Sequence, residues 1–122
     1  MKNALNWFEI PVTDFGRAQK FYETVLGYSM QAMDFGSIKM GFLPSYTDKV
    51  GGAIVAGADY KPSADGALIY LNANPDLAEA ESKIEAAGGK ILLAKRQISP
   101  EYGYMALFLD SEGNRVALHS NK

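Results

Sequence analysis

Apolar and polar residues alternate from Asn6 to Val12, with Phe8, Ile10 and Val12 on one side and Trp7, Glu9 and Pro11 on the other. That period of two is the signature of a strand. The period then lengthens. Ala18, Phe21, Tyr22, Val25 and Leu26 recur at helical spacing behind Thr13 or Asp14, either of which suits an N-cap. Gly27 stands where a helix-ending glycine belongs. Three shorter strands are predicted next, Tyr28 to Asp34, Ser37 to Pro44 and Val50 to Ala56. Turns at Phe35-Gly36 and Ser45-Tyr46-Thr47-Asp48 separate them.

The pattern then starts again. A polar connector, Asp59 to Gly66, leads into a strand over Ala67 to Ala73 and a helix opened by Asn74-Pro75-Asp76. Leu77, Ala80, Ile84 and Ala87 form its core stripe, Glu79, Lys83 and Glu85 its wet face, and Gly88-Gly89 its stop. Lys90 to Lys95, Tyr104 to Leu109 and Asn114 to His119 read as strands, the last two joined by a tight turn over Asp110 to Asn114. Asp14, Ala18 and Gly27 are answered by Asp76, Ala80 and Gly89, a constant offset of 62 positions in 122 residues. The order is βαβββ followed by βαβββ, an α+β chain. It is a single domain over 1–122, with module one over about 1–58 and module two over about 66–122.

Composition narrows the function. A net charge of −2, with Lys95-Arg96 the only adjacent basic pair, leaves no surface for tracking phosphates, so nucleic acid is excluded as a partner. The absence of cysteine removes thiol nucleophiles, disulfides and sulfur-ligated metals. No apolar run reaches the length of a membrane span, and the first residues are too polar for a secretory leader. A soluble cytoplasmic protein that does not contact a membrane is expected.

Two stretches carry a resemblance. Phe8-Glu9-Ile10-Pro11-Val12-x-Asp14 with Phe21-Tyr22-x-x-Val25-Leu26-Gly27 resembles the first module of the vicinal oxygen chelate superfamily. This group includes glyoxalase I, extradiol dioxygenases, fosfomycin-resistance enzymes and bleomycin-binding proteins. Phe108-x-Asp110-x-Glu112-Gly113-Asn114-Arg115-Val116-x-Leu118 resembles its terminal hairpin. The resemblance covers the whole chain, and the closest likeness is to small bacterial glyoxalase-related proteins. It implies two paired βαβββ modules curving an eight-stranded mixed sheet into a cup, with helices outside and the site within. It also implies a homodimer.

Metal-dependent members carry one ligand on the first strand and one on the last strand of each module. Carried onto this chain, those positions fall at Trp7, about Leu68, Ala117 and the stretch Val50 to Ile54, none of which offers a metal-binding atom. No metal and no cofactor are expected. The alternative is a divalent metal displaced to Glu9 and His119.

Glu9 shares the parity of Trp7, and His119 that of Ala117, so both are expected to face the cup. As a pair they read as candidate catalytic residues able to move a proton or orient a polar ligand. They read equally as a structural hydrogen bond between partly buried polar groups. Trp7, Tyr70, Asn72, Tyr104 and Phe108 are the candidate ligand-binding lining, an aromatic wall with few polar groups. The competing reading is that these aromatics fill the cup. The functional expectation is a protein that binds a small organic molecule. The alternative is a lyase or isomerase using Glu9 and His119 for proton transfer.

Overall fold

Strand β1 (Trp7–Pro11) ends where Asp14 caps helix α1 (Phe15–Leu26), its carboxylate accepting the Arg17 N–H at 3.1 Å. The computed structural model describes residues 3–45 and 49–122. The helix buries Ala18, Phe21, Tyr22 and Val25, the stripe set by its spacing. Gly27 ends it at φ 68°, a left-handed backbone open to glycine without steric cost, and returns its N–H to the Glu23 carbonyl. Strands β2 (Ala32–Asp34), β3 (Ile38–Phe42) and β4 (Gly51–Gly57) complete the first module.

The second module repeats it with β5 (Tyr70–Asn72), α2 (Leu77–Glu81), β6 (Lys90–Ser99), β7 (Gly103–Leu109) and β8 (Arg115–Ser120). Asp76 caps α2 as Asp14 caps α1, accepting the Ala78 N–H at 2.9 Å.

Several elements depart from the predicted limits. Residues 28–31 do not join β2, because they are tied elsewhere. The Met30 N–H donates to the Glu23 carboxylate at 2.9 Å and the Tyr28 hydroxyl to the Phe42 carbonyl at 2.9 Å. Helix α2 is regular for only five residues. Beyond it the chain winds more tightly, Lys83 and Ile84 donating three residues back to Ala80 and Glu81 at 3.1 and 3.2 Å. Ile84 is still fully buried. Strand β6 continues past Lys95 to Ser99 with register shifts against β7. Part of the expected turn at Ser45-Tyr46-Thr47-Asp48 lies outside the described residues.

The strands form two four-stranded sheets, ordered β1-β4-β3-β2 and β5-β8-β7-β6. In each, the first and last strands of the module pair in parallel and the rest are antiparallel. The edge strands β1 and β5 are not hydrogen-bonded to each other, so the two sheets stay separate. Gly51-Gly52 is not a bulge: the β1–β4 ladder runs evenly through it. A Cβ at Gly52 would lie 2.5 Å from the Phe8 ring, so glycine is what lets that ring pack across β4.

The helix-facing sides of both sheets share one core. Ile10, Phe21, Tyr22, Ile54, Leu77, Phe108 and Leu118 belong to a continuous cluster that crosses the module boundary. Each such side chain, once fully buried, contributes about 1.5–3 kcal/mol.

Hydrogen bonds lock the modules at the turn between β7 and β8. Asp110 is buried, and its carboxylate accepts the Tyr22 hydroxyl at 2.7 Å, the Asn114 amide group at 3.0 Å and the N–H groups of Glu112 and Asn114 at 2.9 Å. Asn114 in turn donates to the Pro11 carbonyl at 2.7 Å and accepts the Ser63 N–H at 3.0 Å. Burial, helped by Asp110, holds the Tyr22 hydroxyl well above its ordinary pKa, so it stays protonated as the donor.

Glu112 reaches the N-terminus of α1 from the same turn. It accepts the N–H groups of Thr13 and Asp14 at 3.0 and 2.8 Å and forms a two-pronged ion pair with Arg17 at 2.7 and 3.0 Å. Burial alone would raise its pKa. The Arg17 guanidinium, the Asp14 N–H, the Ser111 hydroxyl and the Thr13 N–H outweigh that and bring it from 4.5 to about 2.

Two outcomes follow from this joint. Tyr22→Phe leaves Asp110 short of one donor in a buried site and should cost about 1–3 kcal/mol. Urea unfolding reads the loss as a lower midpoint at unchanged slope. The stabilisation from Glu112 is complete above pH 4.5 and disappears as pH falls through about 2, since the folded pKa is the lower one. Glu112→Gln should therefore lower stability at neutral pH and flatten the acid side of the stability–pH curve. An acid limb identical to the parent's would show that the ion pair contributes nothing.

Candidate functional site

Alternation places the opposite, concave faces of the two sheets away from the helices. On the first sheet this face carries Trp7 and Glu9 of β1, Ala53 of β4, and Met40 and Phe42 of β3. On the second it carries Tyr70 and Asn72 of β5, Ala117 and His119 of β8, and Met105 of β7. Trp7 and Tyr70 are 42% and 50% exposed, high values for such large rings.

Glu9 is held by two ring donors. The Trp7 indole N–H donates to one carboxylate oxygen at 3.2 Å and the Tyr60 hydroxyl to the other at 2.9 Å. The bond to Glu9 is the main cause that raises the Tyr60 pKa above its ordinary value, with burial and the carboxylate's charge adding to it. Tyr60 lies in the connector after β4, and nothing in its local sequence pointed to a partner 51 residues away.

His119 lies beside Asn72 in the β5–β8 ladder and beside Met105 in the β7–β8 ladder. Its Nε2 stands 2.6 Å from the Tyr102 carbonyl, an acceptor, so Nε2–H is the donor of this bond. The Pro100–Tyr102 turn is thus fastened to β8. No hydrogen bond joins Glu9 to His119: Glu9 is engaged by Trp7 and by Tyr60 of the connector, His119 by the Tyr102 carbonyl. Asn72 accepts the N–H and the side-chain amide of Asn74 at 2.9 and 2.8 Å, and so shapes the turn into α2.

Tyr104 and Phe108 do not line the concave face. Phe108 is fully buried in the core with its ring centroid 6.0 Å from that of Phe21. Tyr104 shares its parity, packs on the same core and lies under the Lys95 ammonium at 4.8 Å. The reason is that β7 is apolar on both faces, with Met105 and Leu107 alternating against Ala106 and Phe108. Period two then shows which residues share a face, but not which face is inward.

A cavity of about 330 Å³ opens between the modules, next to these faces. Phe8, Leu43 and Val50 line it from the first module and Leu68, Tyr70 and Asn72 from the second. It is apolar apart from the Asn72 amide and the Tyr70 phenol. That composition suits a small molecule with an apolar body and one polar handle.

The positions at which the resemblance implies metal ligands carry Trp7, Leu68 and Ala117, an indole and two hydrocarbon side chains. Among the described residues no three His, Cys, Asp or Glu side chains come together in a way that could hold a metal ion. The donor set present does not fit a divalent cation.

Residues 5–40 match the family described as Bleomycin resistance protein-like N-terminal. A glyoxylase-like domain-containing protein from Didymella fabae is 30% identical over 121 residues, covering 93% of this chain and 91% of that one. Among solved structures, a glyoxalase/bleomycin resistance protein from Albidiferax ferrireducens T118 superposes with a TM-score of 0.71 at 18% identity, covering 98% of this chain and 100% of the other. A V278E mutant of glyoxalase I from Zea mays gives 0.70 at 21% identity over 96% of this chain, which spans 46% of the maize chain, about half its length. At such identities the solved structures show the fold alone. The Didymella relative, similar along nearly the full length of both chains, shows the family. With its paired βαβββ modules, this chain belongs to the glyoxalase-like family of the vicinal oxygen chelate superfamily.

Proposed function

We propose that this protein binds a small organic molecule without a metal, holding it in the cavity between its two modules. The cavity carries the reading: about 330 Å³ of largely apolar space at the module seam, with Tyr70 and Asn72 as its polar groups. Two of the residues expected from the sequence to contact a ligand therefore line it. Phe35, Leu92 and Tyr102, exposed to 54, 43 and 68%, favour a homodimer in which a second copy covers part of that apolar surface. The expected setting is the cytoplasm. No helix among the described residues is long and apolar enough to cross a membrane.

Proton transfer by Glu9 and His119 has less support. Each has a partner of its own, Glu9 the Tyr60 hydroxyl and His119 the Tyr102 carbonyl, and no hydrogen bond joins the two.

The test is a thermal-shift and amide-NMR screen of small aromatic and alicyclic compounds bearing one polar group. A binder at a hundred times its Kd should stabilise the protein by about 2.7 kcal/mol and move the amide signals of Leu68, Tyr70 and Asn72. Leu68→Trp, which fills the cavity, should abolish the shift without unfolding the chain. A screen in which nothing stabilises the protein or moves those signals would sink the proposal.

A further inference from the structure

We infer that the concave face of the first sheet carries a second site, for an organic ammonium ion, centred on the Glu9 carboxylate. It is independent of the seam cavity, whose lining includes none of Trp7, Glu9 or Tyr60.

Charge distribution is the first observation. By register the strand residues of this face are Trp7, Glu9 and Pro11; Gly51, Ala53, Val55 and Gly57; Ile38, Met40 and Phe42; and Met33. Glu9 is the one charged group in that set. The nearest lysine of these strands, Lys39, pairs with Ala56 and faces the other way. Among the described residues Glu9 has no ion-pair partner, while Glu112, Glu79 and Asp76 each have one.

Aromatic placement is the second. An exposed carboxylate is ordinarily a mobile, solvated group, and one without a counter-charge would mean little. Glu9 instead has a donor on each oxygen, the Trp7 indole N–H at 3.2 Å and the Tyr60 hydroxyl at 2.9 Å. Both donors sit on ring edges, so the carboxylate is held at the edges of two aromatic side chains. Phe42 stands against Trp7 with centroids 6.1 Å apart at 61°, an edge contact that fixes the indole plane.

The site therefore combines a pinned negative charge with two aromatic side chains on a face whose other strand residues are uncharged. A cation is attracted by both, and an apolar one is preferred because it loses less hydration on meeting the rings. A trimethylammonium group or a protonated alkylamine has that chemistry. A metal ion does not, because a single carboxylate leaves most of its coordination shell to water.

Choline and its neutral isostere 3,3-dimethylbutan-1-ol form the deciding pair of probes. Trp7 is the only tryptophan, so its fluorescence reports from within the site. Choline should shift the emission in a saturable, salt-sensitive titration, and the isostere should bind roughly three- to tenfold more weakly. Glu9→Gln should weaken choline by a similar factor and leave the isostere unchanged. Leu68→Trp adds a second fluorophore, so the effect of filling the seam cavity is read by NMR of the Trp7 indole, where choline should act as on the parent. Equal binding of the two probes to the parent protein overturns the inference even if the Glu9 variant fails to fold, and so does a folded Glu9→Gln that binds choline as the parent does.

Discussion

A buried carboxylate at one hairpin turn holds this molecule together. Asp110 gathers four donors, and one of them, the Tyr22 hydroxyl, comes from the helix of the other module. A carboxylate taken out of water is costly unless nearly every lone pair is engaged, and here it is. Asn114 carries the same turn to the end of β1, and Glu112 carries it to the first N–H groups of α1. The turn does for the first helix what a local cap cannot, bringing a full negative charge to its positive end from 98 residues away.

The geometry of the site follows from that joint. Since the helix-facing sides of both sheets are used in the shared core, the concave sides are left as the available surface. The docked modules meet imperfectly along their edge strands, where β1 and β5 form no ladder, and the seam cavity occupies that region. The first sheet's concave face offers something different, a lone carboxylate braced by two rings on an uncharged floor. In the proposed readings the cavity would select by shape and the cluster by charge. Strand register fixes Trp7, Glu9, Tyr70 and Asn72, while Tyr60, Leu43, Val50 and Leu68 come from the segments that flank the strands.

The resemblance to the vicinal oxygen chelate superfamily implies metal ligands at particular strand positions. Here the frame is kept and the donors are replaced by Trp7, Leu68 and Ala117. These side chains offer no hard donor and present apolar surface instead. The proposed readings would have the same backbone serve hydrophobic and charge recognition, in keeping with the rule that function resides in the site and not in the fold.

The sequence by itself determined the repeat, the βαβββ order, the capping aspartates and which residues of each strand share a face. These are local facts, set by periods of two and 3.6 and by residues with restricted backbone or cap chemistry. It also placed Glu9 with Trp7, because two residues apart on a strand must be neighbours. The tertiary structure decided what periodicity cannot encode. Alternation on β7 has two apolar solutions, and only packing against Phe21 turned Phe108 inward with Tyr104 beside it. Residues 28–31 looked like strand until hydrogen bonds to Glu23 and Phe42 drew them away. Tyr60 found Glu9, and the Asp110 turn found Tyr22, across 51 and 88 residues. Contacts at that separation depend on how the two modules and their connector close in space, and no pattern along the chain records it.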